Sequence, residues 1–309
     1  MIVFGCSITE PELYARCAEP GVRLVAEADS EIIANSAAGS LYRSYNLIMD
    51  MASRYKELEA LVLVHQDAEI VDHEFCAKIR KSLEDPDVGV VGCVGAIDVR
   101  NIAWWEGSVT WASFTHRYRE YGGGEVPAFS WSDDGQPGYS RTGQVDTVDG
   151  FVLALAPWVA RNVRFDEGLG CQIHGYDLDL CLQVREQGRK VVTADLKVVH
   201  HHSLELVGDT NVWIQAHTRI AEKWEGRMPG IGYPNWGAAA KDWKQRARQA
   251  EAEAGATRLD RASMQLQADA RERQLQAELD EIKGSQSWRL TAPLRRASAL
   301  VRRRLRSGR

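Results

Sequence analysis

The chain has 309 residues, of which 44% are hydrophobic and 26% charged, the composition of a globular protein with one substantial core; this excludes a disordered or fibrous chain. The formal net charge of −5 is unevenly placed, because the 289–309 segment is rich in arginine and carries no acid. An acidic body with a basic tail excludes nucleic acid as the partner of the body and puts any attraction to anionic surfaces at the C-terminus.

In chain order, Ile2–Ser7, Val22–Ala26, Ala60–Val64 and Val88–Val94 read as strands. Between them Leu41, Tyr45, Ile48, Ala52 and Tyr55 recur at helical spacing, so residues 39–56 are expected to form a helix, and Asp72–Leu83 another. Residues 95–144 break this rhythm with tryptophans and glycines and read as a substrate-facing loop or an elaborated sheet edge. Regularity returns with a strand near Val145–Leu155, a helix near Asp177–Gln187, strands at Lys190–Ala194 and Lys197–His200, and a helix near Asp209–Trp224. This alternation predicts an α/β domain over 1–225 with a mainly parallel sheet flanked by helices. A 226–237 linker follows, then a long helix over 238–283 that is a candidate for self-association as a coiled coil, and a basic amphipathic tail over 284–309. The six cysteines include no CxxC pair and are expected to be free thiols in a reducing compartment. With neither a leader pattern nor a membrane-length apolar run, the protein is expected to be cytoplasmic, with at most peripheral contact at the inner face of the cell membrane.

Four segments could carry chemistry. Leu61–Val64 runs straight into His65, Gln66, Asp67 and Glu69, which places metal-competent side chains at the carboxyl end of a buried strand, where α/β sheets bind ligands. A hard cation such as Mn²⁺ or Mg²⁺ wants oxygen ligands, and Asp67 is the natural one; the plainer reading is that Asp67 and Glu69 end the strand and cap a turn. Asp149 and Gly150 head an apolar strand and could accept sugar hydroxyls while permitting close backbone approach, or could simply form the turn into it. In His174-Gly175-Tyr176-Asp177-Leu178-Asp179, Asp177 falls at a helix start, where it could serve as a cap and also as a general base; Asp179 faces elsewhere and is read as structural. Lys197–Val199 ends in His200, His201 and His202, of which only alternate members can share a face, so His200 could complete a site or form an exposed turn.

Taken together, Tyr45-Asn46, His65-Gln66-Asp67, Trp104-Trp105, Val148-Asp149-Gly150 and Tyr176-Asp177-Leu178-Asp179-Leu180-Cys181 with His200 resemble the bacterial inverting glycosyltransferase family two, in its branch with His-Gln-Asp in place of DxD. The resemblance covers roughly residues 1–225. It implies a GT-A-like fold, a nucleotide-diphospho-sugar donor, Mn²⁺ or Mg²⁺, and a glycan or lipid-linked acceptor in the synthesis of surface polysaccharide or lipopolysaccharide. It further implies that Tyr45, Asn46, His65, Gln66, Asp67, Trp105, Asp149 and Gly150 surround the donor. Asp67, Glu69 and His200 would hold the metal, Asp177 would be the base, and His174 and Tyr176 would lie on the acceptor side. The 285–309 tail resembles that of surface-glycan transferases, and its arginines around Leu294, Ala297, Val301 and Leu305 suit an anionic membrane. The competing readings are a GT-A-like nucleotide-sugar-binding module without turnover, and a scaffold in a glycan assembly complex.

Overall fold

The computed structural model describes residues 1–36, 39–99, 109–118, 124–202, 209–225, 227, 241–285, 288 and 291. The chain divides into a unit over Met1–Arg261 and a smaller one over Ala262–Arg309. Trp104, Trp105, the linker apart from Arg227, and the tail apart from Gly284, Ser285, Trp288 and Thr291 lie outside the described residues.

The elements are β1 (Ile2–Ser7), α1 (Pro11–Arg16), α2 (Ala18–Val25), β2 (Glu31–Asn35), α3 (Leu41–Ala52), β3 (Ala60–Val64), β4 (Ala68–Ile70) and α4 (Phe75–Ser82). Then come β5 (Val88–Gly92), β6 (Val94–Ile97), β7 (Val109–Ala112), β8 (Phe114–Tyr118), β9 (Glu125–Pro127), β10 (Gly143–Val145), β11 (Thr147–Val148), β12 (Val152–Leu155) and α5 (Pro157–Asn162). The series closes with α6 (Tyr176–Glu186), β13 (Lys190–Thr193), β14 (Val198–His202), α7 (Thr210–Trp224) and α8 (Lys241–Gly284).

A seven-stranded sheet in the order β10-β13-β5-β12-β3-β1-β2 forms the centre. Its pairings make β2, β1, β3, β5 and β13 point one way and β12 and β10 the other. The α/β class with a mainly parallel sheet and a long C-terminal helix is therefore as expected. The uninterrupted apolar runs of β1 and β3 follow from burial on both faces. Ile2, Phe4, Val62 and Val64 enter a core with α2 and α4, whereas Val3, Leu61 and Leu63 enter a second core with α3, α5 and α6. Strand periodicity sends alternate side chains to opposite layers.

Two expectations need correction, and a third is narrowed to one of its alternatives. Val22–Ala26 is not a strand: Ala18, Gly21, Val22 and Val25 are buried at helical spacing along α2, and Leu24 is 47% exposed. The described part of 95–144 contributes strands to two smaller sheets, β11-β6-β7 and β4-β14-β8-β9, so it is an elaborated sheet edge. The single strand expected near Val145–Leu155 breaks into β10, β11 and β12, with Asp149 and Gly150 in the gap. All six cysteines are free thiols. Among the described residues, no helix is long and apolar enough to cross a membrane. In the second unit, the end of α8 exposes Met264, Leu275, Leu279 and Ile282 and carries side-chain hydrogen bonds at i,i+4, such as Gln274 to Glu278 and Gln276 to Asp280.

Candidate active site

The carboxyl end of β3 meets the start of β12, since Val64 pairs with Val152 and the His65 amide donates to the Phe151 carbonyl at 2.9 Å. A tight turn then brings the chain back, with the Ala68 amide donating to the His65 carbonyl. The His201 amide donates to the Asp67 carbonyl at 2.7 Å and β14 runs antiparallel to β4 with His200 opposite Ala68. These backbone contacts bring His200 to His65 and Asp67, more than a hundred residues earlier in the chain. His65, Asp67 and His200 each offer a ligand atom, all within 4.8 Å of one another. Nδ1 of His65 lies 3.8 Å from Oδ1 of Asp67, and Nε2 of His200 lies 3.5 Å from Oδ2. The His200 ring stacks on Phe151 with centroids 4.5 Å apart, which fixes its plane.

The electrostatics follow from this packing. Burial alone would raise the Asp67 carboxyl, but His200 and His65 hold it well below the usual carboxylate range. Burial likewise works against a charged His200, and the Asp67 carboxylate outweighs it, so His200 is raised; in His65 burial dominates and the ring is lowered. Among the described residues, Oδ1 of Asp67 is buried with no hydrogen-bond partner. A buried carboxylate oxygen without a donor is costly, and a divalent cation between it and the two imidazoles would relieve that cost. The donor set therefore fits a metal, and fits one that accepts imidazole nitrogen.

Beside this cluster stands the start of α6. Gly175 takes φ of +80°, a left-handed conformation in which a side chain is strained, and a Cβ there would lie 2.1 Å from Ile220. The helix then opens with Tyr176 and Asp177. The Asp177 carboxylate accepts from the Gly150 amide at 3.0 Å and from the Leu178 amide at 2.9 Å. Asp177 is thus a first-turn residue, with Gly175 at the cap position. Burial and then the nearby Asp149 charge raise its carboxyl to about 7, against the two backbone donors. Asp149 accepts from the Phe151 amide at 3.2 Å. Tyr176 lies 2.5 Å from Nε2 of His65 through its hydroxyl.

The other expected residues are placed differently from one another. Gln66 accepts from the Thr9 and Glu10 amides at 2.8 and 2.9 Å and donates to the Thr9 hydroxyl, so it pins the loop after β1. Tyr45 is fully buried on α3 against Phe165 and Tyr176. Asn46 is bonded to both backbone groups of Phe165 and to Glu167; its side chain bolts that segment to α3. The His174 carbonyl accepts from the Tyr42 hydroxyl at 2.8 Å. Glu69 is not among the three clustered ligands: it faces His201 at 2.6 Å and Arg117 at 3.3 Å. Asp179 is buried, accepts from the Trp224 indole at 2.7 Å and pairs with Lys223 at 2.8 Å, the structural job expected of it. His65, expected at the donor, also joins the cation-competent cluster, and the signal for this in the chain is the turn at Gln66 and Asp67, across which residues 65 and 67 approach one another.

The chain is similar to several known proteins. The streptomycin biosynthesis protein StrF of Streptomyces griseus is 30% identical over 205 residues, covering 66% of this chain and 67% of that protein. The O-antigen biosynthesis protein RfbC of Myxococcus xanthus is 23% identical over 181 residues, covering 55% of this chain but only 13% of that much longer protein. Among solved structures, the mannosyltransferase PcManGT from Pyrobaculum calidifontis, in complex with GDP-Man and Mn²⁺, is similar over 94% of this chain and 82% of its own, at 14% identity and a TM-score of 0.44. GalNAc-T7 with UDP, GalNAc and Mn²⁺ is similar over 81% of this chain and 54% of its own, at 10% identity and a TM-score of 0.47. The model of the glycosyltransferase like family matches residues 3–222, and the chain belongs to that family.

Proposed function

We propose that this protein transfers a sugar from a nucleotide-diphosphate donor to a hydroxyl of a sugar-bearing acceptor, with inversion at the anomeric carbon. The observation that carries the reading is a carboxyl held near neutrality, at Asp177, beside the cation-competent cluster of His65, Asp67 and His200. A general base works best with a pKa near the operating pH, so Asp177 is the group that removes the acceptor proton as its oxygen attacks. Burial and then the charge of Asp149 keep that carboxyl basic, and Asp149 also stands where it can orient hydroxyls of the bound sugars. Gln66 holds the loop after β1 against the site, and Asn46 and Tyr45 stiffen its wall from behind.

His65, Asp67 and His200 would hold the divalent cation, and the two imidazoles favour Mn²⁺ over Mg²⁺, which prefers oxygen and water. When bound, such a cation offsets the charge that builds on the diphosphate leaving group. The processes named for the two relatives, streptomycin and O-antigen biosynthesis, both yield glycosides, which supports a carbohydrate acceptor; surface polysaccharide or lipopolysaccharide synthesis on the cytoplasmic side of the membrane is the setting we favour. The arginine-rich tail would then bring the enzyme to a lipid-linked acceptor.

The test is a panel of nucleotide sugars with Mn²⁺, following release of nucleoside diphosphate. Release by the native protein, lost in Asp67→Ala and Asp177→Asn, is the expected result. Tight donor binding with no release in the presence of glycan acceptors would instead make the protein a binding module.

A further inference from the structure

The Tyr176 side chain occupies a socket that serves one atom. Its ring sits edge-on to Tyr42 and Tyr45, with centroids 6.1 and 5.7 Å away, and against Phe165 at 5.8 Å. The fourth wall is Gly150, where an added Cβ would fall 2.0 Å from the Tyr176 hydroxyl. Only glycine leaves room for the phenol at that point. Aromatic packing of this kind fixes a ring in both position and tilt, and the outcome is a hydroxyl set 2.5 Å from Nε2 of His65.

The other nitrogen of that imidazole decides what this contact is for. Nδ1 stands 3.8 Å from Oδ1 of Asp67, and Oδ1 is the buried oxygen that has no hydrogen-bond partner. At 3.8 Å these two atoms are beyond hydrogen-bond range of each other, and a cation held by both would need the lone pair of each, so Nδ1 must be the unprotonated nitrogen. With the proton on Nε2, donated to the Tyr176 hydroxyl, the Nδ1 lone pair faces the Asp67 lone pair, an arrangement that calls for a cation between them. The tautomer of a ligating imidazole is set by the hydrogen bond made at its other nitrogen.

We infer that Tyr176 is a positioning residue for the cation site: its hydroxyl holds His65 as the Nε2–H tautomer with Nδ1 turned to Asp67. The inference rests on the cation reading given above and adds its control point. Because Tyr176 and Asp177 are neighbours at the start of α6, the same helix end that presents the base also sets the ligand ring. Base and cation site are thereby tied together through one hydrogen bond, and the socket residues Tyr45 and Gly150 act through Tyr176.

The experiment compares native protein with Tyr176→Phe, which keeps the ring and removes only the hydroxyl, and with Gly150→Ala, which pushes the hydroxyl aside. Long-range ¹H–¹⁵N spectra of ¹⁵N-histidine-labelled, metal-free protein at pH 8 read the His65 tautomer directly, with His65→Gln giving the assignment. Mn²⁺ affinity is read in parallel by electron paramagnetic resonance. We expect His65 to be Nε2–H in the native protein and to lose that preference in both variants, with Mn²⁺ affinity falling about 10–100-fold, the usual effect of losing a partner of a ligating histidine. An Nδ1–H tautomer in the native protein, or an unchanged His65 in Tyr176→Phe, overturns the inference. If the native protein shows the Nε2–H tautomer and Tyr176→Phe loses it, yet the native protein binds no Mn²⁺, the hold of Tyr176 on the ring stands and the cation reading fails.

Discussion

Two acid–imidazole clusters are built from the same pair of strands, and they are unlike in one respect. On one side, Asp67 meets His65 and His200 and keeps a buried oxygen without a donor. On the other, Glu69 meets His201 and also Arg117, which in turn pairs with Glu125. The second cluster contains its own cation and is complete; the first is not. The same contrast separates Asp179, which has Lys223 and the Trp224 indole, from Asp177, whose observed donors are backbone amides. Acids with a resident cation hold the fold together, whereas acids without one are available for chemistry.

That division can be broken by substitution. Asp177→Asn should show the largest effect, with kcat reduced by about 10²–10⁴-fold, the range for a general base. In the native protein kcat/KM should rise with pH and level off above about 7, and this limb should vanish in the variant. Stability gives the same group a second signature. A carboxyl raised in the folded state from 3.8 to about 7 binds a proton that the unfolded chain has already released between those values. Its contribution is therefore full below 3.8, falls as pH rises through the window and is gone above about 7. Urea titrations at pH 5 and pH 8 should show less difference in Asp177→Asn than in the native protein.

Asp67→Ala should lower turnover by about 10³-fold, the several kcal/mol a Lewis-acid cation supplies. Asp179→Ala should behave in the opposite way. It leaves Lys223 and the Trp224 indole without their buried acceptor and should cost about 3 kcal/mol of stability by urea denaturation, with activity per folded molecule retained. Smallest is Glu69→Gln, which keeps the side chain's shape and leaves Arg117 paired with Glu125: the loss should be about 1 kcal/mol, and turnover should stay within a factor of about three. An activity loss in Glu69→Gln as large as that in Asp67→Ala would erase the distinction between the two clusters.

How far this arrangement can be read in the chain depends on whether a feature is local. The ends of β1 and β3 are legible because unbroken apolar runs buried on both faces admit one assignment, and the N-cap of α7 is legible because Asp209 accepts from the Asn211 amide. The β-like run at Val22–Ala26 misleads because valines serve a helix face as well as a strand, and the buried partners of α2, on β4, are distant in sequence. Strand β4 is three residues long and exists through its pairing with β14, so no local signal marks it. Asp67 and Asp177 stand out at element ends, and His200 stands out in a run of three histidines, although it lies in the middle of β14. Glu69 was drawn into the metal site by its nearness to Asp67, but the turn at Gln66 and Asp67 rotates the chain between them, and only the cross-strand partners His201 and Arg117 reveal which side Glu69 faces. The role of Tyr176 required knowing that Gly150 and His65 lie against it.

The most direct measurement is Mn²⁺ binding, by titration calorimetry with electron paramagnetic resonance as a check, in the native protein, Asp67→Ala, His200→Ala and Glu69→Gln. The account predicts that the native protein and Glu69→Gln bind Mn²⁺ alike and that Asp67→Ala and His200→Ala lose it. Binding that survives in Asp67→Ala and disappears in Glu69→Gln would contradict it.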